Sequence, residues 1–371
     1  MKIGIDARLL SSRMSGIHRY LSNIIKYLPE FDHTNNYTLF LYDDVPEQNK
    51  FYNHSVIKRS KLPRQIFEHY WLNFIIPQKI REQNIDLFFT PYVLVPLKKS
   101  NYKNVIVIHD AMTKVNKSFY SAAYRNYIEF LIPQAVKRSD TIITVSESAK
   151  SDLIKYYNIP TEKIHVIYLW TDERFCVRGL NETEKRILQK KYSLPSKYIL
   201  YVGAMDNRKN IAGIIKISDI LVSKGVDIKI VLVGQPGFGF EELHREIIKR
   251  KDRIIYLNGV EEKSVPYLYN LATLFVFPSF YEGFGIPPLE AMKSGVPVIA
   301  SNNSSIPEVV GDGGFLNSAD DYEAFAKNII RLLEDNKLYD EMKQKAVIQA
   351  EKFTPQVLMP KFIDVINNCS N

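Results

Sequence analysis

The sequence predicts an α/β protein made of two doubly wound domains, each with a parallel sheet between layers of helices. Three observations support this prediction. The chain has 371 residues, more than one ordinary domain of this class needs. Short β-branched runs alternate with longer helical patterns, and continuous apolar runs such as residues 105–108 are typical of strands buried on both faces. A polar stretch near residues 171–197 interrupts the alternation once, which indicates a domain boundary.

The first domain is predicted over residues 1–172. Its strands are expected where short β-branched and aromatic runs occur, at 2–5, 37–42, 87–90, 105–108, 141–145 and 163–167. Helical patterns between several of them cover 17–28, 64–83, 119–137 and 147–156. Such alternation produces parallel strands joined by helices.

Residues 173–197 are predicted to be a linker with a short helix at 182–191. The second domain is predicted over residues 198–352, with strands at 198–202, 228–233, 254–257, 274–277 and 296–300. Its helices are expected at 211–223, 241–249, 266–271, 288–293, 322–333 and 338–351. The remaining residues, 353–371, contain a terminal helix near 355–367.

The composition argues against several classes of protein. Apolar residues make up 46% of the chain, enough for two cores and too many for a disordered protein. The two cysteines, Cys176 and Cys369, lie far apart, so neither a disulfide framework nor a cysteine-based zinc site is expected. The first residues predict a strand instead of a signal peptide, and no run is apolar enough to cross a membrane. The expected location is therefore the cytoplasm.

Positive charge is concentrated in the first half of the chain. Residues 1–174 contain 24 Lys and Arg against 17 Asp and Glu, whereas the rest contains 25 against 24. Two interpretations fit this asymmetry: an anionic partner, such as the inner face of a membrane, or an ordinary solvated surface. Nucleic acid is not an expected partner, because no compact cluster of basic and aromatic residues is present.

The most informative segment follows a predicted strand that ends at Phe277. A loop with Glu282, Gly283, Phe284 and Gly285 comes next, and two prolines then open a helix. The glycines let the backbone approach a ligand closely. The N–H groups at the helix start attract an anion such as a diphosphate.

Four charged side chains near predicted strand ends are candidates for binding and catalysis. We expect Glu282 in the loop and Glu290 in the first turn of the helix, where both accept hydrogen bonds from sugar and ribose hydroxyls. For Glu290 alone, offsetting the helix dipole is the alternative. Arg208 and Lys209 follow the strand at 198–202. They are expected to stabilise charge on the distal phosphate of a departing nucleoside diphosphate.

Five elements in this order resemble the retaining GT-B glycosyltransferases of family 4 (group 1), which include bacterial polysaccharide mannosyltransferases. The elements are Ile5-Asp-Ala-Arg8 with Ser15-Gly-Ile-His-Arg-Tyr20, His109-Asp110, Thr144-Val-Ser-Glu-Ser148, the loop from Tyr201 to Asn210, and Glu282-x7-Glu290. The resemblance runs over nearly the whole chain. It departs at His18, where relatives often carry a second glycine.

The resemblance implies a GT-B architecture, with two Rossmann-like domains facing across a cleft and a C-terminal helix that crosses back to the first domain. It implies transfer of a hexose from a nucleotide-diphospho-sugar to a glycan or lipid-linked glycan, with retention of anomeric configuration. No metal and no cofactor are expected, since the nucleotide-sugar is a substrate and the cationic loop replaces a divalent metal. The form of the 282–290 segment favours GDP-mannose as the donor, with UDP-sugars as the alternative.

The resemblance also implies roles for residues outside the strongest segment. On the donor side these residues are Gly16, Gly234, Val260 and the catalytic His109; on the acceptor side they are His18, Arg19 and Asp110. Ordinary structural roles are the alternatives for several of them, such as an exposed helix start or a helix cap. For Ser146 we favour a helix cap. Ser304 and Ser305 fit either a cap or a family element near the donor.

Three other functions remain as alternatives. A nucleotide-sugar epimerase of the same fold would carry its own acid and base carboxylates and would lack the combination of Arg208-Lys209 with two glutamates. A nicotinamide dehydrogenase would carry Gly-x-Gly-x-x-Gly after its first strand, whereas residues 15–20 contain one glycine. A non-catalytic binding protein would need neither the cationic pair nor both glutamates.

Overall fold

The computed structural model describes residues 1–11, 16–42, 51–58, 63–98 and 101–369. They form two compact units. The first comprises Met1–Lys117, Ser121–Leu169 and Pro355–Asn371, and the second comprises Ser118–Tyr120 and Trp170–Thr354. Each unit is built on its own parallel sheet, as the alternation of strands and helices predicts.

The sheet of the first unit has seven strands among the described residues. In chain order they are β1 Lys2–Asp6, β2 Asn36–Leu41, β3 Tyr52–Val56, β4 Leu87–Thr90, β5 Lys103–Val107, β6 Thr141–Thr144 and β7 Ile164–Val166. Their order in the sheet is β3-β2-β1-β4-β5-β6-β7. Ile3 on β1 pairs with Tyr37 on one side and Leu87 on the other, so the chain direction across the sheet reverses at β1.

In the part of the chain that the structure describes, six α-helices lie between these strands: α1 Gly16–Phe31, α2 Arg64–Tyr70, α3 Ile76–Gln83, α4 Met112–Val115, α5 Ala122–Arg138 and α6 Glu147–Tyr157. A π-helical turn, Trp71–Ile75, joins α2 and α3 into the single helical segment that the sequence predicts. Ser146 is the N-cap of α6, and its hydroxyl accepts a hydrogen bond of 3.0 Å from the Ala149 N–H. The cap prediction for Ser146 is therefore confirmed.

The second unit has a six-stranded sheet among the described residues. Its strands are β8 Tyr198–Val202, β9 Lys229–Val233, β10 Ile254–Leu257, β11 Leu274–Phe277, β12 Val298–Ser301 and β13 Gly314–Asn317. Their order is β10-β9-β8-β11-β12-β13. The switch in direction falls between β8 and β11, which is where doubly wound sheets bind ligands at their carboxyl ends.

The helices of the second unit begin with α7 Glu182–Tyr192, inside the segment predicted as a linker, and continue with α8 Ile211–Ser223, α9 Phe240–Ile248, α10 Val265–Leu271, α11 Ile286–Lys293, α12 Ile306–Val310, α13 Tyr322–Glu334 and α14 Asn336–Ala350. The last helix, α15 Pro355–Asn368, belongs to the first unit, as the predicted crossing requires. There the Phe362 ring meets Phe89 of β4 edge to face, with centroids 5.3 Å apart.

The sequence does not predict four elements: β3, β13, α4 and α12. β3 and β13 are edge strands with partly exposed side chains, so they need no continuous apolar run. The short helices α4 and α12 have four and five residues, too few for a helical period to be recognised. The interior strands were easier to recognise, because burial on both faces demands apolar residues at every position.

Candidate functional site

The loops after β8 and β11 lie side by side because these strands are neighbours in the second sheet. Hydrogen bonds to backbone carbonyls tie the loops together. The Phe280 N–H donates to the Arg208 carbonyl at 2.9 Å, and the Arg208 guanidinium donates to the Tyr281 carbonyl at 3.0 Å. The Asn210 amide donates to the Pro278 carbonyl at 3.0 Å. The two charged segments recognised in the sequence therefore form one cluster.

Arg208, Lys209 and Glu282 are in direct contact. The Lys209 Nζ lies 2.6 Å from Glu282 Oε1, and the Arg208 Nη1 lies 3.1 Å from the same oxygen. The Ser279 hydroxyl donates a third hydrogen bond to that oxygen, at 2.6 Å. The exposed fractions of the Arg208, Lys209 and Glu282 side chains are 14%, 10% and 9%. Charges this shielded from water interact more strongly than surface charges do.

The protonation of the cluster follows from its burial and its charges. Burial by itself would raise the pKa of Glu282, but the charges of Lys209 and Arg208 outweigh burial and hold that pKa below 4.5. Burial lowers the pKa of Lys209 from 10.5, although contact with Glu282 acts in the opposite direction. Glu282 is therefore ionised at neutral pH.

The Arg208–Lys209 turn is held by the residues on either side of it. The Asp206 carboxylate accepts a hydrogen bond of 2.9 Å from the Lys209 N–H. Asn210 adopts a left-handed conformation with φ of 57° and caps α8 by accepting from the Gly213 N–H at 3.0 Å. Its buried amide also donates to the Ala319 carbonyl at 2.8 Å. The sequence shows Asn210 as part of a motif without revealing that it connects three loops.

A second set of contacts holds the Glu282 loop. The Ser304 hydroxyl accepts from the Glu282 N–H at 2.9 Å. The Ser305 hydroxyl lies 2.9 Å from the Glu282 carbonyl and 2.6 Å from the Phe284 carbonyl, and donates toward them. Ser305 stands at the N-cap position of α12 but makes no side-chain cap bond. Its role is therefore to hold this loop, and the helix-cap alternative does not hold for it.

The three residues after Glu282 have different environments. Phe284 is buried, and its ring packs against Phe353 with centroids 5.6 Å apart, so its backbone is the part that can face a ligand. Gly285 has a φ of 122°, and an added Cβ would lie 2.8 Å from Ile306 Cδ1. No other residue fits at Gly285 without strain. Gly283 is only partly buried.

Glu290 does not lie where the sequence predicts. It is the fifth residue of α11 and therefore sits in the second turn, because the helix already begins at Ile286. The side chain is buried, with 3% of its surface exposed. The Tyr269 hydroxyl of α10 donates to Glu290 Oε2 at 2.9 Å. The first-turn prediction is wrong, and sequence reasoning missed Tyr269, whose spacing from Glu290 matches no motif.

The other residues of the second unit that the sequence predicts to bind the donor lie at the same edge of the sheet. Gly234 follows β9, and Val260 follows β10. An added Cβ at Gly234 would collide with the Gly203 carbonyl of the loop after β8, so the glycine permits this close approach. The Tyr256 hydroxyl donates to the Gly234 carbonyl at 3.0 Å. The strand order β10-β9-β8-β11 therefore places four segments side by side along one edge of the sheet: Val260, Gly234, the Arg208–Lys209 turn and the Glu282 loop.

In the first unit, His109 follows β5 and is held by neighbouring elements. Its Nε2 lies 3.2 Å from the Pro91 carbonyl, and its ring meets the Tyr20 ring edge to face with centroids 5.2 Å apart. Burial lowers the pKa of His109 from 6.5 to about 4. Asp110 accepts a hydrogen bond of 2.9 Å from the Met112 N–H and so supports the start of α4, although the N-cap position itself is Ala111.

Gly16, His18 and Arg19 lie in the first turn of α1. Gly16 is exposed and opens the helix, and an added Cβ there would meet no neighbouring atom. His18 Nδ1 lies 3.4 Å from the Ser22 hydroxyl one turn later. Ser15, the first residue of the glycine loop, lies outside the described residues.

The described residues contain neither a metal-binding cluster nor a membrane-spanning helix. No group of three or more His, Cys, Asp or Glu side chains in this part of the chain is arranged to hold a metal ion. Among the described helices, none combines the length and the apolar character needed to cross a membrane.

Comparisons with known proteins agree with the two-unit organisation. The family described as Glycosyltransferase Family 4 matches residues 14–175, and the family described as Glycosyl transferases group 1 matches residues 183–348. The chain is 29% identical to the O-antigen chain mannosyltransferase B of Escherichia coli, over 95% of this chain and 96% of the relative. It is 31% identical to the O-antigen chain mannosyltransferase RfbU of Salmonella typhimurium, over 71% of this chain and 69% of the relative.

A solved structure shows the same fold. Anabaena HepE, in complex with UDP-glucose, superimposes with a TM-score of 0.74 over 99% of this chain and all of its own, at 18% identity. At this identity the agreement concerns the fold alone. It supports the predicted pair of doubly wound units.

Proposed function

The chain belongs to the group 1, family 4 glycosyltransferases, and from that premise we propose that it transfers mannose from GDP-mannose to a glycan or lipid-linked glycan. The observation that carries the proposal is the contact of Arg208 and Lys209 with Glu282 at the carboxyl edge of the second sheet. The names of the two O-antigen mannosyltransferases support the choice of sugar.

Arg208 and Lys209 would stabilise the leaving diphosphate. As the glycosidic bond to phosphate breaks, negative charge develops on the distal phosphate. A guanidinium and an ammonium already held in place need little reorganisation to stabilise it. Together they would supply the positive charge that a divalent cation supplies elsewhere, so we propose a metal-independent transfer. Gly283 and Gly285 would let backbone N–H groups near the start of α11 contribute further donors.

We propose retention of anomeric configuration without a protein nucleophile. Glu282 Oε1 is already contacted by Lys209, Arg208 and Ser279, so this carboxylate serves to position the cations. Attack and departure would then occur on one face of the sugar, with the leaving phosphate accepting the acceptor's proton. His109, neutral at physiological pH, would contact the transferred sugar, and Gly234 and Val260 would hold the base through their backbones.

We propose that the first unit binds the acceptor. His18, Arg19 and Asp110 lie at the starts of α1 and α4 and carry the groups that would meet the acceptor. The basic character of residues 1–174 would favour an acceptor presented near an anionic membrane surface.

Thermal unfolding with GDP, UDP, dTDP and ADP tests the donor assignment. A nucleotide at ~100 times its dissociation constant stabilises the fold by about 2.7 kcal/mol. We expect GDP to raise the transition temperature most, and Glu290→Ala to weaken that shift. Glu351→Ala, at an exposed position of the second unit, is the matched control. A larger shift with UDP would reassign the donor, and no shift with any nucleotide would contradict the proposed function.

Product analysis tests the chemistry. Incubation with GDP-mannose and a soluble mannoside should give an α-linked product by NMR, at a rate that EDTA does not lower. A β-linked product would contradict retention, and loss of activity in EDTA that Mg²⁺ restores would contradict metal independence.

A further inference from the structure

Exposed apolar side chains are concentrated on one surface of the first unit. Among the described residues, 15 large apolar side chains are exposed, and seven of them belong to α2, the following π turn, α5 and the segment before residue 98: Ile66, Tyr70, Phe74, Leu97, Tyr124, Tyr127 and Phe130. We call these seven residues the aromatic patch. Single exposed apolar residues are ordinary, whereas a contiguous set marks an interaction surface.

The helical segment from α2 onward is apolar on two opposite sides. Ile66, Tyr70 and Phe74 recur at every fourth residue and are 57%, 47% and 65% exposed. The rings of Tyr70 and Phe74 stack with centroids 5.4 Å apart. The other side of the same segment buries Phe67 and Trp71 in the core. Packing in the core therefore explains one apolar face of the segment, whereas the second apolar face is exposed to solvent.

α5 has the same two-sided character. Ile128 and Ile132 are buried beneath the helix. Tyr127 and Phe130, on the outer side, are 44% and 66% exposed. A helix on the surface of a protein ordinarily carries polar residues on its outer face. The outer faces of both helical segments depart from this rule in the same unit.

The segment between β4 and β5 joins the two outer faces. Val95 packs into the core cluster beneath α5, whereas Leu94 packs against the cluster beneath α2. The Leu97 N–H donates to Asn73 Oδ1 at 2.7 Å, and Arg138 Nε donates to the Leu97 carbonyl at 2.8 Å. Leu97 is thus tied to both helical segments, and the aromatic patch is continuous.

At the rim of the aromatic patch, within residues 66–74, 97–98 and 124–137, the fully exposed charged side chains are lysines. Two acidic side chains, Glu68 and Glu129, lie in these ranges, and both are only partly exposed. Glu129 is only 18% exposed and forms an ion pair of 2.8 Å with Lys114. In contrast, two lysines are exposed. Lys98 directly follows Leu97, and Lys137 lies two turns after Phe130. The rim therefore attracts anions.

We propose that the aromatic patch docks onto a membrane surface that contains anionic lipids. Aromatic side chains on helix faces, flanked by lysines, suit the boundary between headgroups and acyl chains. A second copy of this chain would bring the basic rims together, which favours an anionic partner over self-association. This inference deepens the membrane partner named in the proposed function by identifying the surface that docks, but docking itself needs neither donor nor acceptor.

Vesicle sedimentation of the full chain tests the proposal. The vesicles contain phosphatidylcholine alone or with phosphatidylglycerol. We expect binding to the anionic vesicles, weakened by salt, and a loss of at least about ten-fold for Phe74→Ser/Phe130→Ser. The matched control, Ile187→Ser/Ile348→Ser, removes side chains that are 61% and 62% exposed in the second unit and should bind like the unaltered protein.

Four outcomes would overturn the proposal. These are no binding of the unaltered protein to anionic vesicles at low salt, equal binding of the patch variant, equal loss in the control, or a dimer in solution that only the patch variant dissociates. Transfer to a water-soluble acceptor is measured alongside. If the patch variant lost that activity while vesicle binding persisted, the patch would bind glycan instead. The nucleotide panel reports separately on the proposed function, so the two failures are distinguishable.

Discussion

At the scale of single residues, the pairing of Lys209 with Glu282 governs the site. Their side chains are about nine-tenths buried and lie 2.6 Å apart, although 73 residues separate them in the chain. Removing one partner of such a pair leaves a buried charge, whereas removing both charges together is often tolerated. Stability and catalysis can therefore be separated by substitution.

The first prediction uses that separation. Lys209→Met should lower the free energy of unfolding by up to about 3–5 kcal/mol, less if Arg208 compensates Glu282. Lys209→Met/Glu282→Gln should recover most of this stability, while transfer stays about 10²–10³-fold slower because the cation is missing. Denaturant unfolding and initial rates give the two quantities. Recovery of activity together with stability would show that Lys209 has a structural role only.

The second prediction concerns His109, whose pKa is lowered to about 4. Because the folded-state pKa lies below the ordinary value of 6.5, neutral His109 stabilises the fold above about pH 6.5, and that contribution is lost as the pH falls toward 4. Between pH 5 and 8, titration of His109 should therefore cause no rise or fall in the plot of transfer rate against pH. NMR titration of the seven histidines, with His109→Asn for assignment, measures the pKa directly. A midpoint near 6.5 would contradict the burial argument.

At the scale of elements, the end of β12 and the connection after it support the loop after β11. Ser301 donates to the Ser279 carbonyl at 2.6 Å, and Ser305 reaches two carbonyls of the Glu282 loop. Because the two strands are adjacent in the sheet, short side chains suffice to bridge their loops. A shifted loop would misplace both Glu282 and the backbone that we propose to face the donor.

The third prediction tests this support. Ser305→Ala leaves buried carbonyls without their donor, so we expect stability to fall by about 1–3 kcal/mol and the KM for the donor to rise several-fold. Ser223→Ala removes a similar hydroxyl-to-carbonyl bond, at an exposed helix end, and serves as the control. A loss of stability with unchanged donor KM would show that Ser305 does not position the loop.

At the scale of the whole molecule, the chain returns to its first unit after completing the second. α15 belongs to the unit whose other residues end at Leu169. Phe362 and Ile366 on this helix are buried, and the Asn367 side chain accepts a hydrogen bond of 3.0 Å from Asn35. The stability of the first unit therefore depends on residues that follow the second unit in the chain.

The fourth prediction follows from this dependence. Phe362→Ala should destabilise the first unit by about 3–5 kcal/mol, whereas Lys361→Ala, at an exposed position, should leave it unchanged. The two tryptophans make the measurement specific, since Trp71 lies in the first unit and Trp170 in the second. In a Trp170→Phe background, fluorescence should report an earlier transition for Phe362→Ala. An unchanged Trp71 transition would contradict the role of α15.

Most of the fold could be predicted from the sequence, because the information is local. Buried parallel strands such as β8 and β11 require apolar residues at consecutive positions, and the helices between them show their own period. The segment from Glu282 to Glu290 and the Arg208–Lys209 turn could be recognised for the same reason, since each is contiguous. The turn of α11 that holds Glu290 was misplaced because helix starts are less clearly marked than helix interiors.

Only the tertiary structure could decide which of these segments meet. The ion pair of Lys209 with Glu282, the hydrogen bond of Tyr269 to Glu290 and the contacts of Ser305 with the Glu282 loop all join separate segments of the chain. They depend on strand order in the sheet, which local periodicity does not encode. The sequence by itself therefore determined the fold class, the family and the chemical groups of the site, and the strand order determined their partners.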